Sequence, residues 1–411
     1  MSKNILITNY EISQYSGSEI NAATIAKRMK ELGYTVYIAG LNFDGPLYTD
    51  TKDNFDVCIN LQKDDFDFTK IEFEYIWAHH FFLLDWLIFE KNVRAKKILY
   101  SSLSGKEYFE APPIYANELN LVLANSPETK QQLILDGIKN IQLFENYSFE
   151  EYFKRDIKVD NLKKIAIVSN HIPQELNQTV EILRQDGYCV DIYGIEGKQE
   201  LITDKVLEKY DCIITIGKTV QYAMSLKIPV YIYDRFGGSG YLKMSNMEQN
   251  RAHNFSGRGY EKREAEELAK DIVEDFPNAI KELDEIKEFA FNNFCFEKKI
   301  DLVLNQLENQ EEVNLEKIRN EYIKYSRNLL ASKNLLIYIK RKADIEKEKE
   351  KDQVAFDYIR ANDKKVQELK DKIAELENIK SSLEKELVNN GKSKSCKIIS
   401  KIRGFKHKLL K

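Results

Sequence analysis

The stretch from Tyr210 to Leu242 reads YDCIITIGKTVQYAMSLKIPVYIYDRFGGSGYL and contains the clearest pattern of alternating strand and helix in the chain. Its apolar runs Cys212–Ile216 and Val230–Tyr233 predict two buried strands, and the segment between them predicts a short helix ending near Lys227. In such a unit the helix N-terminus points to the carboxyl edge of a parallel sheet, where phosphates bind. The stretch therefore predicts a site for a phosphorylated small molecule.

Several polar and glycine positions in this half are candidates for that site. Lys218 stands at the start of the predicted helix, where a cation is unfavourable for the helix dipole unless an anion is present. A glycine-rich segment follows the second strand, and its N–H groups predict an anion nest, with a plain flexible turn as the alternative. The candidate donor- and phosphate-binding residues here are Gly217, Lys218, Thr219, Asp234, Gly237, Gly238 and Arg258.

Two of these candidates have specific expected roles. Asp234 ends a predicted strand and is a candidate acceptor for ribose or sugar hydroxyls. Arg258 lies in a Ser-Gly-Arg-Gly loop, whose glycines predict a segment able to close over phosphate.

Strands and helices alternate outward from this stretch in both directions. Such alternation predicts parallel sheets with right-handed crossovers, and two runs of it predict two Rossmann-like domains that face a cleft. We expect the first domain to span residues 1–158 and the second, donor-binding domain to span residues 159–305. The further predicted strands are Asn4–Thr8, Thr35–Ala39, Val57–Asn60, Tyr75–Ala78, Ile98–Ser101, Leu121–Ala124, Ile141–Phe144, Ile165–Ser169 and Cys189–Tyr193.

Composition restricts the classes of function. The 411 residues carry a net charge of −4, which disfavours wholesale nucleic-acid binding. Five cysteines are scattered without metal-ligand spacing, so we expect neither a metal site nor a disulfide framework, and a reducing cytoplasm fits best. Aspartates at positions 64, 65 and 67 lie in an acidic stretch that predicts a solvated loop. Met1 leads almost directly into a predicted strand, so we expect no signal peptide.

The C-terminal part differs in composition. Residues 306–390 are dominated by charge. Within them a seam of apolar residues recurs at alternating steps of three and four, interrupted only by Lys380, and consists of Val366, Leu369, Ile373, Leu376, Leu383 and Leu387. This pattern predicts a coiled coil that joins two copies or recruits a partner, with a single helix packed on the protein's own core as the alternative. The last twenty residues, Lys392 to Lys411, contain eight Lys or Arg and no acid. They predict a basic amphipathic helix for an anionic membrane surface, with a disordered basic tail as the alternative.

Motifs along residues 4–300 resemble GT-B glycosyltransferases, most closely the family-4-type group of bacterial polysaccharide and glycan enzymes. Their order and spacing together make the resemblance. The matching segments are Ser16-Gly17-Ser18-Glu19 after the first strand, Tyr75-Ile76-Trp77-Ala78-His79-His80, LVLANSPE at Leu121–Glu128, Phe144-Glu145-Asn146, Gly217 through Tyr241, and Asn254-Phe255-Ser256-Gly257-Arg258.

The resemblance implies transfer of a sugar, of hexose type, from a nucleotide-diphosphate donor to a glycan or lipid-linked acceptor at the cytoplasmic membrane face. It implies no cofactor and no metal, with protein cations and helix dipoles in the metal's place, and retention of anomeric configuration. Gly17 and Ser18 would face the donor. His79 or His80, at a strand end, would contact the reacting sugar or the acceptor, and the alternative for each is a structural histidine.

Two departures from the family pattern open an alternative. Tyr222 stands where the family has a glutamate, and Lys227 where it has a glycine. Ser169-Asn170-His171 replaces the Arg and Lys that hold the diphosphate. These differences favour a non-catalytic glycosyltransferase-like subunit that stabilises or targets an active partner through the coiled coil. A nicotinamide-dependent enzyme is disfavoured, because no Gly-x-Gly-x-x-Gly follows the first strand.

Overall fold

The computed structural model describes residues 3–323 except 106, 156 and 196, together with residues 325, 342, 345, 367, 370–382 and 385. Two compact units divide the chain, Met1–Ala331 and Ser332–Lys411. The first unit contains a seven-stranded, a five-stranded and a two-stranded sheet.

Fourteen strands lie in this described part of the chain. They are β1 Asn4–Thr8, β2 Glu11–Ile12, β3 Thr35–Gly40, β4 Asn42–Phe43, β5 Val57–Asn60, β6 Glu72–Ala78, β7 Arg94–Ser102, β8 Leu121–Ala124, β9 Ile141–Leu143, β10 Lys164–Val168, β11 Cys189–Tyr193, β12 Cys212–Thr215, β13 Val230–Asp234 and β14 Gly237–Tyr241.

The α-helices connect and cover these strands. They are α1 Gly17–Glu31, α2 Gly45–Thr51, α3 Phe81–Asp85, α4 Pro127–Leu135, α5 Glu150–Phe153, α6 Gln174–Gln185, α7 Asp204–Leu207, α8 Lys218–Ser225, α9 Met247–Ala252, α10 Ala265–Glu274, α11 Phe276–Ala279, α12 Leu283–Phe294 and α13 Phe296–Glu308. A further helix, α14, spans residues 315–323.

The first domain is built on a seven-stranded parallel sheet of order β5-β3-β1-β6-β7-β8-β9. Its inner strand β1 pairs with β3 through Ile5 and Val36 and with β6 through Ile5 and Tyr75. Ile5, Leu6 and Ile7 are all fully buried, as expected for a strand covered by helices on both faces. This burial explains why the strands of this domain are continuous apolar runs in the sequence.

The second domain is built on a five-stranded sheet of order β11-β10-β12-β13-β14. Strands β10 to β13 are parallel, and Ile165 of β10 pairs with Val190 of β11 and Cys212 of β12. The prediction of two Rossmann-like domains is thereby confirmed, and most predicted strands agree with the observed ones to within a few residues at each end.

The glycine-rich segment after β13 is not the open loop that the sequence predicts. It forms the antiparallel edge strand β14, paired with β13 through a bulge between Ile232 and Asp234. A Cβ on Gly238 would lie 1.9 Å from the Ile232 carbonyl oxygen, and a Cβ on Gly237 would lie 2.5 Å from the Glu261 carbonyl oxygen. Close backbone packing therefore explains these glycines, and a phosphate role for their N–H groups stays a prediction.

The chain returns to the first domain before the boundary predicted at residue 305. Phe296, Ile300, Val303 and Leu307 of α13 are buried in the same core cluster as Ile5 and other first-domain residues. Tertiary packing, which the charge-rich composition does not reveal, thus places α13 beside the first sheet.

Residues 310–323 also belong to the first domain rather than to a stalk. The Val313 N–H donates to the Lys96 carbonyl at 2.7 Å. Arg319 donates through Nε to the Ile88 carbonyl at 3.0 Å and through Nη2 to the Val93 carbonyl at 2.7 Å. Residues 315–323 are therefore helical, but they pack on the first domain, and pairing of the rest of residues 306–390 stays a prediction.

The predicted coiled coil and basic tail lie mostly outside the described residues. Residues 370–382 are helical, and the rest of the predicted seam and all of residues 392–411 are not described. Within the described ranges, no helix combines the length and the apolar character needed to cross a membrane.

Candidate functional site

A cavity of about 150 Å³ lies between the two domains. On the first-domain side it meets the carboxyl ends of β7 and β8 and the start of α4, and on the second-domain side it meets the loop after α9. Hydroxyl and amide side chains dominate its wall. The lining residues are Leu103, Ser104, Gly105, Asn125, Ser126, Glu128, Thr129, Gln132, Asn254, Ser256 and Arg258.

The first-domain wall is held by the cap of α4. Ser126 Oγ accepts the Thr129 N–H at 3.1 Å, and Pro127 takes a first-turn position. The Thr129 hydroxyl donates to Asn125 Oδ1 at 2.8 Å. These bonds satisfy the helix start and leave Glu128 in the first turn, where its carboxylate complements the helix dipole.

Arg258 is the cation of the second-domain wall. Its Nη2 donates to Glu128 Oε2 across the cavity, and its Nε is buried with no hydrogen-bond partner in the described part of the chain. Gly257 precedes it with φ +77°, and a Cβ there would lie 2.3 Å from the Gly237 carbonyl oxygen. The backbone therefore positions Arg258 at the cavity with one donor still unsatisfied.

The loop that bears Arg258 is tied to the start of α8. The Gly217 N–H donates to the Phe255 carbonyl at 3.0 Å. Asn254 and Phe255 have φ of 55° and 52°, a backbone region that costs energy for residues other than glycine. Asn146 from the first domain donates to Asn254 Oδ1 at 3.0 Å. One strained loop thus contacts both the predicted phosphate site and the opposite domain.

Lys218 does not join Arg258 in the cavity wall. Its Nζ is buried although part of the residue reaches the surface, and it has no hydrogen-bond partner among the described residues. The ammonium lies 4.4 Å from the ring centre of Tyr147 and 5.7 Å from that of Tyr222. Burial lowers the pKa of Lys218 to about 7. A diphosphate role for Lys218 stays a prediction that requires the side chain to turn, and a phosphate role for neighbouring Thr219 likewise stays a prediction.

Tyr222 fills the position where the resemblance places a glutamate. Its ring is buried, 5.4 Å from Tyr152 and 5.9 Å from Phe149, measured between ring centres. An aromatic cluster at the domain crossover therefore replaces a carboxylate at this point of the fold.

His79 is completely buried in a hydrogen-bond chain. Asn21 Nδ2 lies 3.1 Å from its Nε2, and its Nδ1 lies 3.0 Å from the Thr8 carbonyl oxygen, so Nδ1 bears the proton. Asn21 Oδ1 accepts the Tyr147 hydroxyl at 2.8 Å. Burial lowers the pKa of His79 to about 4. Both ring nitrogens are engaged within the protein, and this arrangement contradicts direct contact of His79 with a sugar.

His80 is nearly buried and pairs with a carboxylate. Its Nδ1 accepts the Tyr10 N–H at 3.0 Å, so Nε2 bears the proton and faces Glu110 Oε1 at 3.5 Å. Burial acts to raise the pKa of Glu110, but the hydrogen bond and charge of His80 and the Leu103 N–H outweigh it, and the pKa lies below its usual range. The backbone φ of His80 is +61°. The pair adjoins the cavity through Leu103, although neither member lines it.

Hydrogen bonds to the Glu19 carboxylate hold the loop before α1 in place. The Glu19 carboxylate accepts the N–H of Ser13 at 2.5 Å, the N–H of Gln14 at 2.8 Å and the Ser16 hydroxyl at 2.7 Å. Burial raises the pKa of Glu19, with these hydrogen bonds opposing. Gly17 begins the helix, and a Cβ added there would meet no atom within 4 Å. Ser18, the next residue, is half-buried. Neither residue lines the cavity.

Asp234 ends β13, as the sequence predicts, and is nearly buried. Its carboxylate accepts the Arg235 N–H at 2.7 Å and the Ser169 hydroxyl at 3.2 Å. Burial raises its pKa, and these bonds oppose the rise. The residue therefore joins the carboxyl ends of β13 and β10, and a role with ribose hydroxyls stays a prediction.

The sequence did not predict an ion cluster that joins the segment after β9 to helices α9 and α13. Arg251 of α9 contacts Glu145 with both Nε and Nη2, at 2.8 Å and 2.9 Å. Lys299 of α13 lies 3.8 Å from the same carboxylate. Burial lowers the pKa of Lys299 to about 8, with Glu145 opposing. The three charges come from three segments that are distant in the chain, and no local pattern signals their meeting.

The described residues contain no group of three or more His, Cys, Asp or Glu side chains arranged to hold a metal ion. The acidic stretch near residue 64 is exposed, and there Asp64 accepts the Asn60 N–H at 2.7 Å and Asp67 accepts the Thr69 N–H at 3.1 Å. These two carboxylates therefore stabilise local turns of the backbone.

Comparisons with known proteins gave structural likenesses alone. No protein-family model matches the chain, and no curated protein matches it. The chain is similar to a TarM mutant from S. aureus in complex with fondaparinux, alpha-GlcNAc-glycerol and UDP, at 15% identity and a TM-score of 0.40, over 57% of this chain and 55% of that one. It thus spans little more than half the length of that structure.

Two further similar structures are covered almost completely. A second TarM structure has 11% identity and a TM-score of 0.44, over 75% of this chain and 99% of that one. The kitacinnamycin glycotransferase has 11% identity and a TM-score of 0.43, over 74% of this chain and 99% of that one. Likenesses at this level do not establish a shared activity, so the residues of the cleft decide the function.

Proposed function

We propose that the protein is a glycosyltransferase that moves a sugar from a nucleotide-diphosphate donor to a glycan or lipid-linked acceptor. The observation that supports it most is the cavity between two parallel-sheet domains, which has hydroxyl and amide groups on one wall and the guanidinium of Arg258 on the other. Hydroxyls and amides are the partners that sugars require, and a guanidinium is the partner that phosphates require.

Arg258 and the start of α8 hold the diphosphate in this proposal. The unsatisfied Nε of Arg258 is buried, and an unmet donor beside a cavity is costly unless a ligand accepts its hydrogen bond. The Gly217–Phe255 backbone bond keeps the Arg258 loop against the N-terminus of α8. That terminus offers N–H groups to an anion. Lys218 adds a second cation when its side chain leaves the aromatic rings.

The transfer itself needs charge neutralisation and a proton acceptor. The bond between the anomeric carbon and the donor phosphate oxygen breaks, and the nucleoside diphosphate leaves with the electron pair. The acceptor oxygen bonds to that carbon, and its proton passes to the departing phosphate oxygen. Contact of His80 Nε2 with a sugar hydroxyl is part of the proposal and requires Nε2 to turn from Glu110 toward the cavity, and His79 holds the strand end in place. Protein cations serve in place of a metal, and retention of configuration with a hexose donor belongs to the same proposal.

Binding of nucleoside diphosphates tests the proposal. Purified protein should bind at least one of UDP, GDP, ADP, CDP or dTDP in calorimetric titrations. Arg258→Ala should weaken that binding about 10- to 100-fold, since a hydrogen bond to a charged group is worth about 1.5–3 kcal/mol. Arg94→Ala is the matched control, because Arg94 starts β7 at the opposite edge of the sheet and pairs with Glu72 at 3.2 Å. Failure of all five nucleotides to bind at millimolar concentration would refute the proposal.

A second candidate function is supported by Tyr222 and its aromatic neighbours. A non-catalytic subunit that keeps the fold and stabilises or targets an active partner needs no carboxylate at this position. Transfer and hydrolysis assays with nucleotide sugars, run with and without candidate partners, separate the two functions. Nucleotide binding without any turnover would favour the non-catalytic subunit.

The proposed place of action is the cytoplasmic face of the membrane. Its support is the basic sequence Lys392 to Lys411, which suits anionic lipid. Deleting these residues should release the protein from vesicles of phosphatidylserine and phosphatidylcholine in a flotation assay, and full-length protein should remain bound. Equal binding of both proteins would remove the tail from the proposal. Pairing through residues 306–390 with a second copy or a partner is likewise proposed from the heptad pattern.

A further inference from the structure

We infer that Glu128 is an internal competitor for the ligand's phosphate groups: it holds Arg258 and must release it when the ligand binds. This inference rests on the proposed function and concerns the same site. It makes Glu128 a positioning residue that sets the affinity of the cleft for diphosphates.

The ion pair joins the two domains across the cavity. Glu128 comes from the first turn of α4 and Arg258 from the loop after α9, and both line the cavity. Their side chains are 28% and 33% exposed, so water reaches the pair. A carboxylate in contact with a guanidinium presents the same two-oxygen geometry as a phosphate, and one guanidinium cannot serve both with the same nitrogens.

The small size of the cavity supports separation of the pair on ligand binding. Its volume is about 150 Å³, whereas pockets for nucleotide-sized ligands span about 300–1,000 Å³. The Glu128–Arg258 contact bridges the two walls, so a nucleoside diphosphate enters only after this contact opens. Breaking the ion pair is therefore part of the free energy of binding.

Two buried nitrogen atoms near Glu128 have unsatisfied hydrogen-bonding capacity. Arg258 Nε and His253 Nδ1 are both buried without hydrogen-bond partners in the described ranges. His253 Nδ1 lies 3.9 Å from Glu128 Oε2, beyond hydrogen-bond distance. Glu128 therefore leaves Arg258 Nε unbonded and lies beyond hydrogen-bond distance of the His253 ring. A ligand with several phosphate oxygens can satisfy more of these nitrogen atoms, which gives it the advantage over Glu128.

The test compares Glu128→Gln with the wild type in titrations with the best-binding nucleoside diphosphate and with inorganic pyrophosphate. Glutamine keeps the shape and removes the competing charge, so both ligands should bind about tenfold more tightly. Glu128→Asp keeps the charge and should bind as weakly as the wild type. Tighter binding is a gain that general damage to the fold does not produce.

Glu118→Gln is the matched control. Glu118 is 26% exposed and pairs with Lys317 at 2.7 Å, away from the cavity, so its replacement should leave both affinities unchanged. Wild-type binding that Glu128→Gln leaves equal or weaker would overturn this inference and leave the proposed function standing. Absence of binding by both proteins at millimolar concentration would overturn the two together. If Glu128→Gln binds these ligands and the wild type does not, the result would support the inference most strongly, because Glu128 would then prevent binding altogether.

Discussion

Lys218→Met should raise the free energy of unfolding at pH 7 by about 3 kcal/mol, because it removes a buried ammonium that has no hydrogen-bond partner among the described residues. The pKa of Lys218 is lowered by burial from 10.5 to about 7. The contact with the Tyr147 ring at 4.4 Å offsets part of this cost when the lysine is charged. Methionine has a similar length and flexibility, so the packing between the rings is kept.

The sign of the pH dependence follows from proton counts. Between pH 7 and pH 10.5 the unfolded chain holds a proton on Lys218 that the folded chain has released. Stability of the wild type should therefore rise with pH through this window, by about 3 kcal/mol between pH 7 and about pH 9.5. Below pH 7 the full penalty applies. Lys218→Met should lack this rise.

Urea denaturation of both proteins from pH 6.5 to pH 9.5 measures the effect. Lys270→Met is the matched control, since Lys270 lies on the surface of α10 and its Nζ is 3.9 Å from Glu274. That variant should keep the wild-type slope. A wild-type stability that does not rise with pH, or a rise that survives in Lys218→Met, would show that Lys218 is not held as a buried amine. If Lys218→Met is more stable than the wild type but binds nucleoside diphosphate less well, the free-energy cost of burying Lys218 is linked to ligand binding.

Glu145→Gln should lower the free energy of unfolding by about 3 kcal/mol, since breaking a buried ion pair on one side costs about 3–5 kcal/mol. The Glu145 side chain is 6% exposed and lies between Arg251 and Lys299. Without the carboxylate these two cations face each other in a poorly solvated space. The pKa of Lys299, already lowered to about 8 by burial, should fall further because Glu145 opposes that lowering.

The control variant changes Glu248, another acidic residue that contacts Arg251. Glu248 lies 3.5 Å from Arg251, but its side chain is 73% exposed. Glu248→Gln should therefore cost less than about 1 kcal/mol. Thermal and urea unfolding of the two variants at pH 7 give the comparison. Equal losses would mean that the burial of Glu145 contributes nothing to the stability of the crossover.

Local signals in the sequence predict much of the secondary structure. The strand Asn4–Thr8 has its predicted bounds, because an apolar run between polar neighbours is buried on both faces. Ser126 and Pro127 begin α4 as predicted, since capping depends on residues within one turn. No local pattern shows the edge strand at Gly238, because the close approach of the Ile232 carbonyl comes from pairing with β13.

The candidate site is predictable in place but not in contacts. Arg258 and Glu128 both belong to segments that the sequence singles out, yet only folding brings these residues into contact from positions 130 apart. His79 and His80 are adjacent in the chain, but their side chains have different partners. His79 is hydrogen-bonded to Asn21, which in turn contacts Tyr147, whereas His80 faces Glu110. The direction of each ring depends on neighbours from other strands.

The amino-acid sequence alone determined the alternation of strands and helices, and with it the two parallel-sheet domains, because apolar periodicity and helix caps act over a few residues. Only the tertiary structure decided which charges meet. It placed Lys218 between aromatic rings, Arg258 against Glu128 and Glu145 between two cations, because burial and long-range packing set the partner and the solvation of each ionic group.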